Sequence, residues 1–140
     1  MKKPLFTNVT TIKSNEGEVK SFIADITNAL KWDSELATVV KENETYHIVR
    51  TGNALNEEEY IVVSTDDKTI TYHSSGGRLE YDLEFSIVEK DRFIELSQTL
   101  IIGEDVDGHI PVKLLKPIAK HAFSKKLDKL AKIIELENTL

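Results

Sequence analysis

The sequence predicts an α+β fold in which a curved antiparallel sheet of about seven strands wraps around a long C-terminal helix, with one or two short helices after the first strand. Three observations support this: a helical period early in the chain, turn-separated β-branched runs over residues 37–103, and a second helical period over residues 110–140. Only the last helix is long enough to cover the apolar face of such a sheet.

The first elements are a strand and an amphipathic helix. Residues 5–13 alternate loosely and are rich in Thr and Val, which is typical of a strand. Asn15, followed three residues later by Glu18, resembles a helix cap. Apolar residues then recur at helical spacing at Val19, Phe22, Ile23, Ile26 and Leu30. Residues 31–36 follow without Gly or Pro and predict a short second helix or a turn.

The middle of the chain reads as an antiparallel meander. Residues 38–41, 46–51, 60–65 and 69–75 form β-branched or aromatic runs, with turn residues at 66–67 and 76–77. In the next run apolar residues alternate with acidic and polar ones, which predicts a strand with one buried face. The residues on that face are Leu79, Tyr81, Leu83, Phe85 and Ile87. After a turn at 89–91, a last strand places Gln98 on the same face as Ile94, Leu96, Leu100 and Ile102.

The final helix of about 28 residues would extend about 40 Å at 1.5 Å per residue. The radius of gyration expected for a chain of this length is only about 14 Å, so the helix must cross the whole molecule. Its apolar stripe consists of Leu115, Ala119, Ala122, Phe123, Leu130, Ile133 and Ile134, and Lys126 falls inside it.

Composition predicts one soluble domain over residues 1–140, with a net charge of −6, 40% hydrophobic and 30% charged residues. The absence of cysteine excludes disulfides, thiol nucleophiles and Cys-ligated metal. We expect a cytoplasmic protein, because the sequence shows neither the apolar core of a signal peptide nor the run of about 20 apolar residues of a membrane span.

Charge is distributed unevenly along the chain. Residues 1–110 hold 11 Lys/Arg against 21 Asp/Glu, whereas residues 111–140 hold 7 Lys against 3 acids. The acidic part argues against a nucleic-acid partner. The basic helix has two interpretations, ordinary solvated lysines or transient contact with an anionic membrane surface. The lysines that would contact the membrane are Lys113, Lys116, Lys120, Lys125, Lys129 and Lys132.

The element order, the helix 19–26 leading to Trp32, the meander and the segment Leu114-Leu115-Lys116-Pro117-Ile118 together resemble the START-like helix-grip (SRPBCC) superfamily of polyketide cyclases/dehydrases and lipid-transport proteins. The resemblance extends from Leu5 to about Glu137. It implies an apolar cavity between the sheet and the last helix that holds a lipid, polyketide or similar molecule. The family has no universal catalytic signature, so no catalytic residue is assigned.

We expect the following residues to line that cavity: Trp32, Tyr81, Leu83, Phe85, Leu96, Gln98, Ala119, Ala122, Phe123 and Lys126. Lys126 either extends its methylenes to the cavity mouth or presents its ammonium to a ligand carboxylate or carbonyl. Gln98 meets a polar side chain across the sheet, such as a Ser or Tyr, which is favoured over a ligand. Tyr81 and Trp32 are cavity walls or core residues.

For two further residues, His73 and Arg50, the predicted face of the sheet depends on strand register. His73 is predicted on the surface, because the more apolar face of its strand excludes it. For Arg50 a surface ion pair is favoured over a buried charge. The loop 103–109 carries acids and a histidine but fails the calcium-loop template, so an exposed acidic gate is expected. No cofactor and no metal are predicted.

The predicted function is therefore binding or transport of a hydrophobic small molecule. The alternative is a cyclase/dehydratase-type enzyme that acts on a hydrophobic substrate in the same cavity, with acid/base groups drawn from Lys126, Gln98, Tyr81, His73 and Arg50. That alternative requires these side chains to converge on one place.

Overall fold

A computed structural model describes residues 2–52, 56–103 and 111–138 of the chain. In chain order the elements are β1 Lys2–Ile12, α1 Glu16–Ala24, a 3-10 turn Ile26–Asn28, α2 Ala29–Trp32, β2 Leu36–Glu42, β3 Thr45–Arg50, β4 Glu58–Thr65, β5 Thr69–Ser75, β6 Tyr81–Glu89, β7 Ile94–Gly103 and α3 Val112–Asn138. The predicted gate loop lies outside the described residues from residue 104 onward.

The seven strands that the described residues form make one antiparallel sheet in the order β1-β7-β6-β5-β4-β3-β2. Strands β2 to β7 pair with their neighbours in sequence as a meander, and β1 completes the far edge by pairing with β7. The register of β6 against β7 places Phe85 opposite Gln98 and Leu83 opposite Leu100. The alternation predicted for β6 and β7 is confirmed, since their alternate residues are buried on the face toward α3, called the inner face below.

Helix α1 begins as predicted, with the side-chain oxygen of Asn15 accepting a hydrogen bond from the Glu18 amide at 2.9 Å. The helical period predicted through Leu30 is wrong beyond Ala24. Asp25 leaves the helical backbone and accepts hydrogen bonds from the amide and hydroxyl of Thr27, so the chain turns into a 3-10 segment. Leu30 is consequently half exposed.

Helix α3 has 27 residues and runs along the sheet, with its backbone closest to β1 and α2. Its buried residues are Ala119, Leu127, Leu130, Ala131 and Ile134. Ala122 was predicted at the centre of the apolar stripe, but it is exposed, because the sheet does not cover the helix at this position. At the same end Leu114 and Ile118 are largely exposed, so the first half of α3 is held less tightly than the second.

None of the helices in the described part of the chain combines the length and the apolar character needed to cross a bilayer.

Candidate ligand-binding pocket

A pocket of about 100 Å³ opens between the first half of α3 and the ends of β3 and β6; we call it the outer pocket. One wall comes from α3 and is apolar: Leu115, Ile118, Ala119, Ala122 and Phe123. The rest of the lining is polar: Glu35, Arg50, Asn56 and Tyr81 lie across from the helix, and Lys126 comes from α3 itself. The pocket therefore combines an apolar helix surface with a small set of polar groups, as small-molecule sites do.

A second cavity of about 20 Å³ lies deeper and is called the inner cavity. It shares Arg50, Tyr81, Phe123 and Lys126 with the outer pocket, so these four side chains lie between the two. The rest of its lining is Ile26, Ala29, Trp32, Asp33, Leu36, Ile48, Ile61, Tyr72 and Leu83.

The polar wall is organised by Glu59, a carboxylate of β4 with 0% exposure. Tyr81 donates to it at 2.8 Å, Asn56 at 2.7 Å and Ser74 at 3.0 Å. Arg50 completes the set with a close hydrogen bond and ion pair from its Nη1. A buried carboxylate is tolerated only when it is paired and hydrogen-bonded in this way.

Asn56 links the carboxylate to the start of β6. Its amide donates to Glu59 and to the Leu79 carbonyl, and its side-chain oxygen accepts from the Leu79 amide at 2.8 Å. Gly77 makes room for this arrangement, since a Cβ there would lie 2.5 Å from the Asn56 side chain. The glycine is needed at this position for close approach.

Arg50 connects two carboxylates, Glu59 and Asp33, whose Oδ2 lies 3.5 Å from its Nη2. The favoured prediction of a surface ion pair is wrong: Arg50 lies on the inner face in register with Ile48 and is mostly buried. Burial alone would lower the pKa of Arg50, but interactions with Tyr81, Glu59 and Asp33 outweigh it and raise that pKa above its usual value. The guanidinium is therefore permanently charged.

Lys126 of α3 joins the same ionic network, because Asp33 pairs with Lys126 as well as with Arg50. Its Nζ lies 3.3 Å from Asp33 Oδ1 and 2.5 Å from Glu35 Oε1, and 5.2 Å from the centre of the Phe123 ring. The side chain thus lines the pocket, and two carboxylates already form ion pairs with its ammonium. Together the five ionic groups carry three negative charges and two positive ones.

Tyr81 has its phenol on the inner face, hydrogen-bonded to both oxygens of Glu59. Burial raises the pKa of the Tyr81 hydroxyl well above its usual value, and the Glu59 charge adds to that rise. The hydroxyl is consequently a neutral hydrogen-bond donor rather than a base.

The residues predicted to line the cavity fall into two groups. Tyr81, Ala119, Ala122, Phe123 and Lys126 surround the outer pocket, while Trp32 and Leu83 line the inner cavity. Phe85 and Leu96 border neither space and are fully buried in the core. The ring of Phe85 packs edge-on against Trp32 and Tyr72.

Gln98 is buried but lies away from both spaces. Its side-chain oxygen accepts from Asn8, which faces it across the β1–β7 pair and also donates to the Lys120 carbonyl of α3. The partner is thus a polar side chain across the sheet, the kind that the sequence favoured over a ligand, and it is an asparagine. The Gln98 Nε2 has no partner among the described residues.

His73 lies on the outer face of the sheet, as predicted, between Ser64 at 2.8 Å and Asp82 at 2.9 Å. Of the side chains considered for acid/base chemistry, Arg50, Tyr81 and Lys126 converge on the outer pocket, whereas His73 and Gln98 do not. No group of three or more His or acidic side chains in the described ranges is placed to hold a metal.

The sequence reasoning missed the carboxylates that position these groups. Glu59 shares the inner face of β4 with Ile61 and Val63, an acid at an apolar position that would have indicated a buried partner. Because Ile48 pairs with Glu59, Arg50 sits within reach on the next strand. Asp33 and Glu35 follow α2 and carried no comparable signal.

Three solved structures share this architecture. The START superfamily protein from Mycobacterium smegmatis superposes with a TM-score of 0.75 at 14% identity, over 94% of this chain and 97% of that one. A conserved protein from Geobacillus kaustophilus gives 0.66 at 19% identity over 91% and 93%. A protein from Thermus thermophilus gives 0.67 at 13% identity over 91% and 94%. No family model and no curated protein matches the sequence.

The fold is therefore the START-like helix-grip fold that the sequence predicts. At these identities the likeness concerns the arrangement of sheet and helix, and the contents of the pocket must be argued from this chain's own residues.

Proposed function

We propose that this protein binds a small hydrophobic molecule between α3 and the sheet. The observation that carries the proposal is the outer pocket, which combines an apolar surface of α3 with a network of hydrogen-bonded and ion-paired polar side chains. The polar groups satisfy one another, so a ligand gains mainly from covering the apolar wall, at roughly 25 cal/mol per Å² of apolar surface removed from water.

The volume favours a compact ligand. Apolar cavities on the order of 150 Å³ accept benzene, and the outer pocket is of similar size at about 100 Å³. Pockets for larger molecules usually exceed about 300 Å³. A lipid or polyketide, the class implied by the resemblance, would require the weakly held first half of α3 to move outward, with Leu114 and Ile118 then covering the ligand.

Titration with ethylbenzene, followed by NMR of the methyl groups of Leu115, Ile118 and Ala119, tests this proposal. We expect saturable shifts at these methyls. The variant Ala122→Phe places a ring in the pocket from an exposed helix position and should weaken binding at least tenfold. The matched control His121→Phe adds the same ring on the neighbouring exposed position, which does not line the pocket, and should leave binding unchanged.

Two results would contradict the proposal. One is an absence of saturable shifts in the wild-type protein. The other is equal affinity in Ala122→Phe and wild type, which would place the ligand elsewhere.

A second candidate is a cyclase/dehydratase-type enzyme, favoured by the convergence of Arg50, Tyr81 and Lys126 on one pocket. Against it, the raised pKa of Tyr81 and the ion pairs of the two cations leave no free base among them. Molecules extracted from the purified protein and then incubated with an excess of it distinguish the two functions. Recovery of the molecule with both its mass and its NMR spectrum unchanged supports binding. Loss of water, seen in the mass, or ring closure, seen in the NMR spectrum even where the mass is unchanged, supports catalysis.

Membrane contact through α3 remains a prediction. The six lysines named for it are exposed, and one of them, Lys120, donates to the Thr7 carbonyl at 3.1 Å. Cosedimentation with vesicles that contain an anionic phospholipid should exceed that with neutral vesicles. Equal cosedimentation would leave the lysines as ordinary solvated side chains.

A further inference from the structure

Trp32, one of the residues that line the inner cavity, carries a hydrogen-bond donor that no described residue accepts. Trp32 lines this cavity and is buried, and its indole Nε1–H has no acceptor among the described residues. A buried indole N–H normally has a partner, since leaving it without one costs the full desolvation penalty. This donor therefore points to an acceptor that the described residues do not supply.

The other polar side chains around the inner cavity are already occupied. Tyr72 donates to the Ile23 carbonyl at 2.6 Å, and Tyr81 donates to Glu59. Arg50, Asp33 and Lys126 are held in the ion pairs described above. Among the described residues that line this space, Trp32 alone carries a polar side-chain atom without a partner.

The charges next to the cavity disfavour an anionic ligand. Three carboxylates, Glu59, Asp33 and Glu35, surround two cations, Arg50 and Lys126, and each cation already contacts two carboxylates. A ligand carboxylate would have to displace one of these and would add to a local excess of negative charge. A neutral acceptor avoids both costs, so the interpretation of Lys126 as the ligand's counter-ion is not favoured.

Size restricts the part of the ligand that enters. The inner cavity, at about 20 Å³, has room for about one water-sized group. Of the four side chains that separate it from the outer pocket, Phe123 alone makes no hydrogen bond or ion pair; its ring packs on Phe6 with centroids 5.6 Å apart. Rotation of Phe123 would thus open a path between the two spaces at the cost of its ring contacts with Phe6 and the Lys126 ammonium, while the hydrogen bonds and ion pairs remain.

Building on the proposed function, we infer that the ligand is a neutral, mainly apolar molecule with one carbonyl- or ether-type oxygen. This oxygen enters the inner cavity and accepts a hydrogen bond from Trp32 Nε1–H, while the apolar body fills the outer pocket. Among the described residues that line the site, this one buried donor without a partner indicates the substrate class.

Trp32 is the sole tryptophan of the chain, so ¹⁵N-labelled protein gives one indole N–H signal. Acetophenone and ethylbenzene have similar shapes and differ by the carbonyl oxygen. We expect both to shift the pocket methyls, but only acetophenone to move the indole proton strongly downfield. The side-chain amide of Gln98, the other unpartnered buried donor among the described residues, is the internal control and should stay unchanged.

Trp32→Phe keeps an aromatic ring and removes the N–H. In this variant the acetophenone-to-ethylbenzene affinity ratio should fall about threefold to tenfold, the worth of one neutral hydrogen bond. If the variant does not fold, the indole shift in the wild-type protein decides the question alone.

The results of these titrations distinguish a failure of the inference about the ligand oxygen from a failure of the proposed function. If both compounds bind at the pocket methyls and move the indole signal equally, the inference is overturned and the proposed function stands. Tighter binding of benzoate than of acetophenone also overturns the inference. If none of the three compounds shifts the pocket methyls, the proposed function itself fails.

Discussion

Replacing Arg50 by Met tests how much the buried ion pairs of Arg50 with Glu59 and Asp33 contribute to the free energy of unfolding. Met has a similar length and keeps the apolar contacts of the stem, but it removes the cation from between Glu59 and Asp33. Glu59 would then remain fully buried with a charge and no cationic partner.

The expected cost is about 3 kcal/mol of unfolding free energy. Removing one member of a buried ion pair typically costs about 3 to 5 kcal/mol. The low end applies because Glu59 keeps its hydrogen bonds from Asn56, Ser74 and Tyr81, while Asp33 keeps Lys126. For a chain of this size the corresponding drop in Tm is about 10 °C.

Urea unfolding, followed by circular dichroism, measures the difference. Lys31→Met is the matched control, because its ion pair with Glu137 has a length of 3.0 Å but lies in solvent; we expect it to cost less than about 1 kcal/mol. The double variant Arg50→Met/Glu59→Gln removes the stranded charge and should recover about 1 to 2 kcal/mol of the loss.

The reasoning is refuted if Arg50→Met costs no more than Lys31→Met. It is also refuted if the double variant is less stable than Arg50→Met alone, since the penalty would then not arise from the isolated carboxylate.

Three further predictions concern local packing, titration and capping. Gly77→Ala forces a Cβ against the hydrogen-bonded amide of Asn56 and should cost about 1 to 3 kcal/mol in urea unfolding; an unchanged midpoint would show that the amide can shift freely. Burial raises the pKa of Tyr72 and Tyr81, so the folded chain retains protons that the unfolded chain releases. The contribution of the two tyrosines to the free energy of unfolding is therefore fully present below about pH 10 and falls as pH rises further. In Tyr72→Phe the free energy of unfolding should fall less steeply with pH than in the wild type, and parallel pH profiles of the two proteins would contradict this. Asn15→Ala removes the cap of α1 and should cost about 1 kcal/mol in thermal unfolding; no change would mean that packing alone holds the helix start.

Much of the fold could be predicted because the relevant signals are local. Alternation in the segments that became β6 and β7 identifies their buried faces without knowledge of any partner strand. The period of α3 likewise identifies Ala119, Leu130 and Ile134 as buried. These patterns follow from the repeat of the backbone itself, two residues in a strand and 3.6 in a helix.

The sequence-based predictions failed where a specific side-chain interaction outweighed the sequence pattern. Leu30 fits the helical period, but Asp25 ends the helix before it by accepting hydrogen bonds from Thr27. Arg50 was assigned to the surface because a charged residue usually lies there. Its burial depends on Glu59, a residue on the next strand whose position follows only from the register.

By itself, then, the sequence determined the order of helices and strands, their apolar faces and the long closing helix, because these depend on spacing along one segment. Tertiary structure alone decided which polar groups meet: it brought Arg50, Tyr81 and Lys126 to one pocket, with Glu59 bonded to the first two, and left the Trp32 N–H without a partner among the described residues. Such contacts depend on distances of a few ångströms between segments far apart in the chain, and a shift of one residue in strand register would point each strand side chain to the opposite face.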